Sequence, residues 1–283
     1  MVKINAQTRF YLLLGNPVNH SLSPLIHNSA FQALNLNYRY LTAHVEEERI
    51  EEAVKGLRAL SAAGANVTSP FKEAVIPYLD AISPEAGIIR SVNTIVNREG
   101  SLSGTTTDGA GFYHSLTQSA PDYRLEQPAM IIGAGGAARA VAYTLARAGV
   151  SEMFIINRSI DKAEALADLV KKETPLHRCT ALPLVAEELH QVVSACRLFV
   201  YTLSVDSKEF TAALEKSSLP FRESLLFDLR YSPNLSAVMK YFNKSGGRAF
   251  NGLGMLLWQA VLAFELFTGH KAPVEIMNQA MEQ

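Results

Sequence analysis

The strongest constraint on what this chain can fold into is a glycine turn set between an apolar run and a helical pattern. It lies in Pro128–Gly149, PAMIIGAGGAARAVAYTLARAG. Gly133, Gly135 and Ala138 occupy the G-x-G-x-x-G/A positions, after a strand-like run and before an amphipathic helix. The first glycine permits a tight turn, and the second lets backbone approach a pyrophosphate. A small third residue allows the helix to pack closely on the strand. The free amides at the helix N-terminus then face the phosphates. Gly133, Gly135, Gly136 and Ala137 are therefore expected to bind a dinucleotide.

The end of the following apolar run, Ser151–Asn157, selects the dinucleotide. An NAD site places an acidic residue about 20 residues beyond the glycines, to hold the ribose 2′-hydroxyl. Here Asn157, Arg158 and Ser159 stand there, with Lys162 one turn on and Asp161 in the first turn of the next helix. A guanidinium suits a 2′-phosphate through charge-assisted hydrogen bonds. The expected cofactor is NADP.

Apolar runs alternate with helical patterns on both sides of this unit. FYLLLG (10–15), YRYLTAHV (38–45) and GANVTS (64–69) read as strands, separated by helices over 23–34 and 47–62 and followed by a helix from Pro70. SVNTIVNREGSLSG (91–104) reads as a hairpin turning at Asn97–Gly100. After the glycine turn, strands are expected at 197–203 and 224–231, and a helix apolar on nearly every face at 254–267. Alternation of this kind predicts an α/β protein with parallel sheets and an antiparallel addition.

Composition removes several function classes. With 26 basic and 27 acidic residues among 283, and no block of like charge, no broad face attracts nucleic acid or an anionic membrane. Cys179 and Cys196 are too few for a disulfide framework, and they read as small buried residues in a reducing compartment. The seven histidines show no helical metal-binding spacing, so no metal is expected. The N-terminus lacks the pattern of a signal peptide, and the apolar stretch 255–267 is broken by Gln259 and Glu265. A cytoplasmic location is expected, with small molecules rather than macromolecules as partners.

Two short segments carry candidate chemistry. Ser69-Pro70-Phe71-Lys72 reads as a helix start, with Ser69 as N-cap and Pro70 first in the helix. Lys72 would then stand at the positive end of the helix dipole, the wrong place for a cation on stability grounds and hence a candidate for function. Ser21-Leu22-Ser23-Pro24 sets two hydroxyls at another helix start, a receptor for a carboxylate. Thr68 and Asn93 lie at strand ends, and Asp108 follows a turn; each alone reads equally as structural.

Taken in order, these segments resemble the shikimate dehydrogenases. GNPVNHSLSPLIHN (15–28), GANVTSPFKE (64–73), SVNT (91–94), GTTTDGAGF (104–112), GAGGAAR (133–139), NRS (157–159) and GLGMLLWQAVLAFELFTG (252–269) carry the likeness across nearly the whole chain. The resemblance implies an N-terminal substrate domain, 1–107, completed by helices at 252–283, with a Rossmann-type NADP domain at 108–251 between them. It implies that Lys72 and Asp108 form a catalytic acid–base pair. Ser21 and Ser23 would hold the substrate carboxylate, and Thr68, Asn93, Asp108 and Gln259 its ring hydroxyls, with Tyr231 near the substrate. Gly252 and Met255 would join the cofactor contacts. The implied reaction interconverts 3-dehydroshikimate and shikimate with NADP, in a monomer or homodimer.

The chain departs from the family after the run 197–200. There the pattern is Asn-Ala-Thr followed by a glycine; this chain reads Tyr201-Thr202-Leu203-Ser204-Val205-Asp206. A bulky Tyr201 and an anionic Asp206 are expected to alter the approach of the nicotinamide. The family's Asn-Thr-Asp also reads Thr106-Thr107-Asp108. Two rivals stand beside the main reading: a quinate/shikimate-type paralogue using NAD, and a silent sensor of NADP(H) or shikimate.

Overall fold

A computed structural model describes residues 4–217 and 221–282. The chain divides into two compact units, residues 1–111 with 256–283, and residues 112–255.

In the first unit the chain runs β1 (Arg9–Gly15), α1 (Ser23–Ala33), β2 (Tyr38–His44), α2 (Ile50–Ala59), β3 (Gly64–Val67), β4 (Ala81–Ile82), α3 (Pro84–Ile89), β5 (Thr94–Arg98), β6 (Ser101–Thr105) and α4 (Asp108–Ser119). The sheet order is β2-β1-β3-β5-β6-β4. β1, β2 and β3 are parallel, while β5 and β6 form the expected antiparallel hairpin. Its turn sits one residue later than expected, on Glu99 and Gly100, both at positive φ of 53° and 90°. The strand β4 and the helix α3, capped by the Ser83 hydroxyl, have no counterpart in the sequence reading. Their signals are only two and six residues long.

The helix expected from Pro70 does not form. Residues 69–75 are a chain of turns, followed by one 3-10 turn over Ile76–Tyr78. Pro77 contributes to this: it has no N–H to bond back toward Glu73 O and continue an α-helix. The helix-dipole argument for Lys72 therefore falls.

The second unit runs β7 (Ala129–Ile132), α5 (Gly136–Ala148), β8 (Met153–Asn157), α6 (Ile160–Glu173), β9 (Cys179–Pro183), α7 (Ala186–Val193), β10 (Leu198–Tyr201), α8 (Lys208–Ser217), β11 (Leu225–Asp228), α9 (Ala237–Lys244) and β12 (Arg248–Phe250). Its sheet is parallel throughout, in the order β12-β11-β10-β7-β8-β9. The strands β7, β8, β10 and β11 are buried almost end to end because helices cover both faces. The order reverses between β7 and β10, which makes their C-terminal ends a topological switch point.

The chain then enters α10 (Leu253–Thr268) and ends in α11 (Val274–Gln279). Leu257, Val261, Phe264 and Phe267 of α10 share a core with Tyr11, Ile26 and Phe31 in the first unit. Among the described residues, no helix is long and apolar enough to cross a membrane.

Candidate active site

In the first unit the C-terminal ends of β1 and β3 carry the chain into the segments that hold the polar candidates. Gly15 ends β1 where a Cβ would stand 2.3 Å from Thr68 Cγ2, so glycine lets Thr68 lie close against that strand end. Beyond it, α1 begins after Ser21, whose Oγ accepts from the Ser23 amide at 3.2 Å. Leu22 stands at the N-cap and offers no side-chain cap, so neither serine is the cap residue of this helix. Ser23 itself is 6% exposed, while Ser21 is half-buried.

Lys72 Nζ lies 2.5 Å from Asp108 Oδ2, with side-chain exposures of 18% and 5%. The turns after Pro70 bring the lysine there, and its carbonyl oxygen is held by the amide of Val92 at 2.8 Å. The other carboxylate oxygen, Asp108 Oδ1, accepts from Asn93 Nδ2 at 2.9 Å. The amide of Asn93 has a determined orientation: its Oδ1 accepts from Thr107 N at 2.8 Å and from Thr94 Oγ1 at 2.9 Å. Asn66 continues inward, donating to Thr94 Oγ1 at 3.1 Å and to Asn93 O at 3.0 Å while accepting from the Tyr40 hydroxyl at 2.8 Å. Among the described residues, no buried side-chain polar atom of Asn66, Asn93, Thr94 or Asp108 lacks a partner, which makes this group a rigid support.

Gln259 joins the same group. Its Nε2 donates to Leu256 O at 2.7 Å, and its Oε1 faces Asn93 Nδ2 at 3.5 Å. The partner sought for this lone amide on an apolar helix is therefore backbone. Thr107, which received no role from sequence, donates to Gln259 O at 3.1 Å and ties α10 to the Asn93–Asp108 group. Its place beside Asp108 in GTTTDG was the available signal. The site thus gathers Lys72, Asp108, Asn93 and Gln259, a charge pair able to transfer a proton beside amides able to bind hydroxyls.

The remaining candidates belong to the second unit. Gly133 has φ 120°, and a Cβ there would stand 2.1 Å from Thr202 Oγ1. Gly135 is the N-cap of α5, offers no side-chain cap, and has nothing within 4 Å of where its Cβ would be. Ala138 is fully buried against the sheet. A tight turn, open space before uncapped amides, and close helix packing together fit a bound pyrophosphate. Arg158 and Ser159 are exposed at the tip of β8 and Lys162 one turn along, while Asp161 lies in the first turn of α6. Asn157 Nδ2 donates to Ser159 O at 3.0 Å and shapes that tip. These residues can accept a ribose 2′-phosphate.

Tyr231 is half-buried in this unit, and burial raises its phenol above the usual range. Gly252 packs on Leu229, whose carbonyl oxygen would be 2.0 Å from a Cβ. Met255 is buried in the apolar core of the unit. Tyr201, expected to alter the approach of the nicotinamide, is 1% exposed, packs on Phe210 and donates from its hydroxyl to Val205 O at 2.7 Å. Asp206 is likewise not a free anion, since Arg230 Nη1 lies 2.8 Å away. Burial pushes the thiol of Cys179 up to about 12 and that of Cys196 higher still, so both remain protonated and inert.

Family comparisons agree with this geometry. A shikimate dehydrogenase substrate-binding domain matches residues 13–95, a shikimate/quinate 5-dehydrogenase domain residues 116–244, and a shikimate 5′-dehydrogenase C-terminal domain residues 252–282. The chain is 41% identical to a shikimate dehydrogenase (NADP(+)) of Desulforamulus reducens, over 99% of this chain and 97% of that protein. The chain belongs to the shikimate dehydrogenase family. The family is one of NADP-dependent oxidoreductases, and its solved members share this fold. The Thermus thermophilus shikimate 5-dehydrogenase, solved with NADP(H) and shikimate, superposes with a TM-score of 0.80 at 33% identity, covering 97% of this chain and 98% of that one. A quinate dehydrogenase of Corynebacterium glutamicum, solved with NAD, gives 0.86 at 25% identity, covering 97% and 99%.

Proposed function

We propose that this chain catalyses the reversible, NADPH-dependent reduction of 3-dehydroshikimate to shikimate, as a cytoplasmic monomer or homodimer. The observation that carries the reading is the buried Lys72–Asp108 pair, held by Asn93 and set among groups that suit a polyhydroxylated acid. Bound NADPH supplies the hydride. Lys72 gives a proton from Nζ to the carbonyl oxygen as alkoxide character develops, and takes it back in the reverse direction. Asp108 holds the ammonium with one oxygen and stays aligned through Asn93 on the other.

Ser21 and Ser23, at the start of α1, orient the carboxylate of the substrate. Thr68, Asn93 and Gln259 bind ring hydroxyls. Gly133, Gly135, Gly136 and Ala137 receive the pyrophosphate, Asn157, Arg158, Ser159 and Lys162 the 2′-phosphate, and Gly252 and Met255 complete the cofactor side.

The Corynebacterium neighbour supports the quinate reading, whereas exposed Arg158 and Lys162 without an acid at the tip of β8 favour NADP. Steady-state rates for shikimate and quinate, each with NADP+ and NAD+, test the proposal. The highest kcat/KM is expected for shikimate with NADP+; a preference for quinate with NAD+ would overturn it. Tight binding of both ligands without any change in NADPH absorbance would identify a sensor instead.

A further inference from the structure

Arg230 has no part in the function described so far, yet it makes the densest set of polar contacts in the second unit. Its Nε lies 2.9 Å from Asp228 Oδ1 and its Nη2 2.6 Å from Asp228 Oδ2, a two-pronged pair with a fully buried carboxylate. Its third nitrogen, Nη1, reaches Asp206 Oδ1 at 2.8 Å. Between the two carboxylates the guanidinium covers the ring of Tyr201, 4.8 Å from its centroid. One side chain therefore fastens the loop after β10 to the end of β11.

The place of this loop follows from the sheet. Tyr201 is in register with Ile132 on one side and Asp228 on the other, so β7, β10 and β11 end side by side. Thr202 leaves the strand by donating from its amide and its hydroxyl to Ile132 O, at 2.9 and 2.8 Å, directly beneath Gly133. A dinucleotide with its pyrophosphate on α5 and its 2′-phosphate at the tip of β8 extends its other half to the opposite side of β7. That side is the end of β10. The loop carrying Asp206 borders the nicotinamide half, and Asp206 is 58% exposed there. An unpaired carboxylate in that position would repel a polyanion, and a loose loop would have to be ordered at each binding event.

We propose that Arg230 is a positioning residue for the nicotinamide half of the cofactor. By bridging Asp206 to Asp228 across Tyr201, it holds loop 202–207 in its binding conformation and cancels the charge that the loop presents. The inference rests on the NADP reading of the glycine turn.

The tether and simple electrostatics predict opposite signs, which makes Asp206→Ala the deciding variant. It removes a negative charge next to a polyanionic ligand, and it leaves the buried Arg230–Asp228 pair intact, so folding is not endangered. Charge alone predicts tighter NADP+ binding. Loss of the tether predicts weaker binding by about tenfold, the cost of ordering one or two freed side chains. Calorimetric titration of the full chain with NADP+ reads this directly. Adenosine 2′,5′-bisphosphate, which lacks the nicotinamide half, should bind the variant as it binds the parent.

Arg230→Lys keeps a cation beside Asp228 but lacks the planar fork needed to span two carboxylates. It should weaken NADP+ to a similar degree, and the double variant should be no worse than either single one. Unchanged or tighter NADP+ binding by Asp206→Ala would overturn the inference, as would equal losses for NADP+ and the bisphosphate. A parent protein that binds neither ligand would overturn the cofactor reading itself, and this inference with it.

Discussion

Lys72 and Asp108 share one short contact, the aspartate buried and the lysine partly exposed. General acid–base assistance contributes roughly 10²–10⁴ in rate. Lys72→Ala is accordingly expected to lower kcat with shikimate by that order while KM changes much less. Steady-state kinetics at saturating NADP+ check this, and an unchanged kcat would remove the assignment of Lys72. His27 offers a second test at this scale. It stacks on Tyr40 at 4.4 Å among aromatic rings, and neither ring nitrogen has a partner among the described residues. Burial lowers its pKa from 6.5 to about 3. Between those values the unfolded chain binds a proton that the folded chain refuses, so stability falls as pH drops below about 6.5. The slope from this one group reaches up to about 1.4 kcal/mol per pH unit. His27→Phe keeps an aromatic ring and should flatten the stability curve between pH 7 and 4 in urea titrations. Parallel curves for both proteins would show that His27 does not titrate on unfolding.

Elements were legible where the signal was local. The β7 turn into α5 could be read because glycine, open space and a helix N-terminus all act within six residues. The turn segment around Lys72 was misread because Ser69-Pro70 imitates a helix start, while Pro77, seven residues on, works against a helix. The orientation of Asn93 was out of reach: it depends on Thr107, Thr94 and Asn66, which converge from three strand ends. The burial of Tyr201 was out of reach for a similar reason, since its ring packs on Phe210 and is covered by an arginine 29 positions later in sequence. The close approach of α4 and α10 supplies the test at this scale. A Cβ on Gly111 would lie 2.7 Å from Gln259 N, a backbone atom that cannot yield alone. Gly111→Ala should therefore destabilise the protein by about 1–3 kcal/mol, the usual range for overpacking. It should also raise KM for shikimate, because Asp108 and Gln259 sit on the helices that are forced apart. Denaturant titration and kinetics on the same sample would expose the error if both stayed at parental values.

At the scale of the whole molecule, cofactor and substrate groups belong to different units, so ligands should stabilise them unequally. NADP+ at about 100 times its Kd should add about 2.7 kcal/mol to whatever cooperative unit contains α5 and β8. Hydrogen exchange resolved by peptide would place that protection in residues 112–255; protection confined to residues 1–111 would contradict the cofactor site. The first unit has a further property: its core is closed by the two ends of the chain. The rings of Tyr11 and Phe267 lie 4.7 Å apart at a tilt of 34°, and the Tyr11 hydroxyl donates to Phe267 O. On the ribosome, synthesised from the N-terminus at about 5–20 residues per second, the first sheet must wait on the order of ten seconds for α10 to emerge. The intervening unit, complete before then, is free to fold first. A nascent chain arrested at Met255 should accordingly resist protease across residues 112–255 and be cut readily before residue 111. The unit that holds Lys72 and Asp108 is closed only once α10 has left the tunnel.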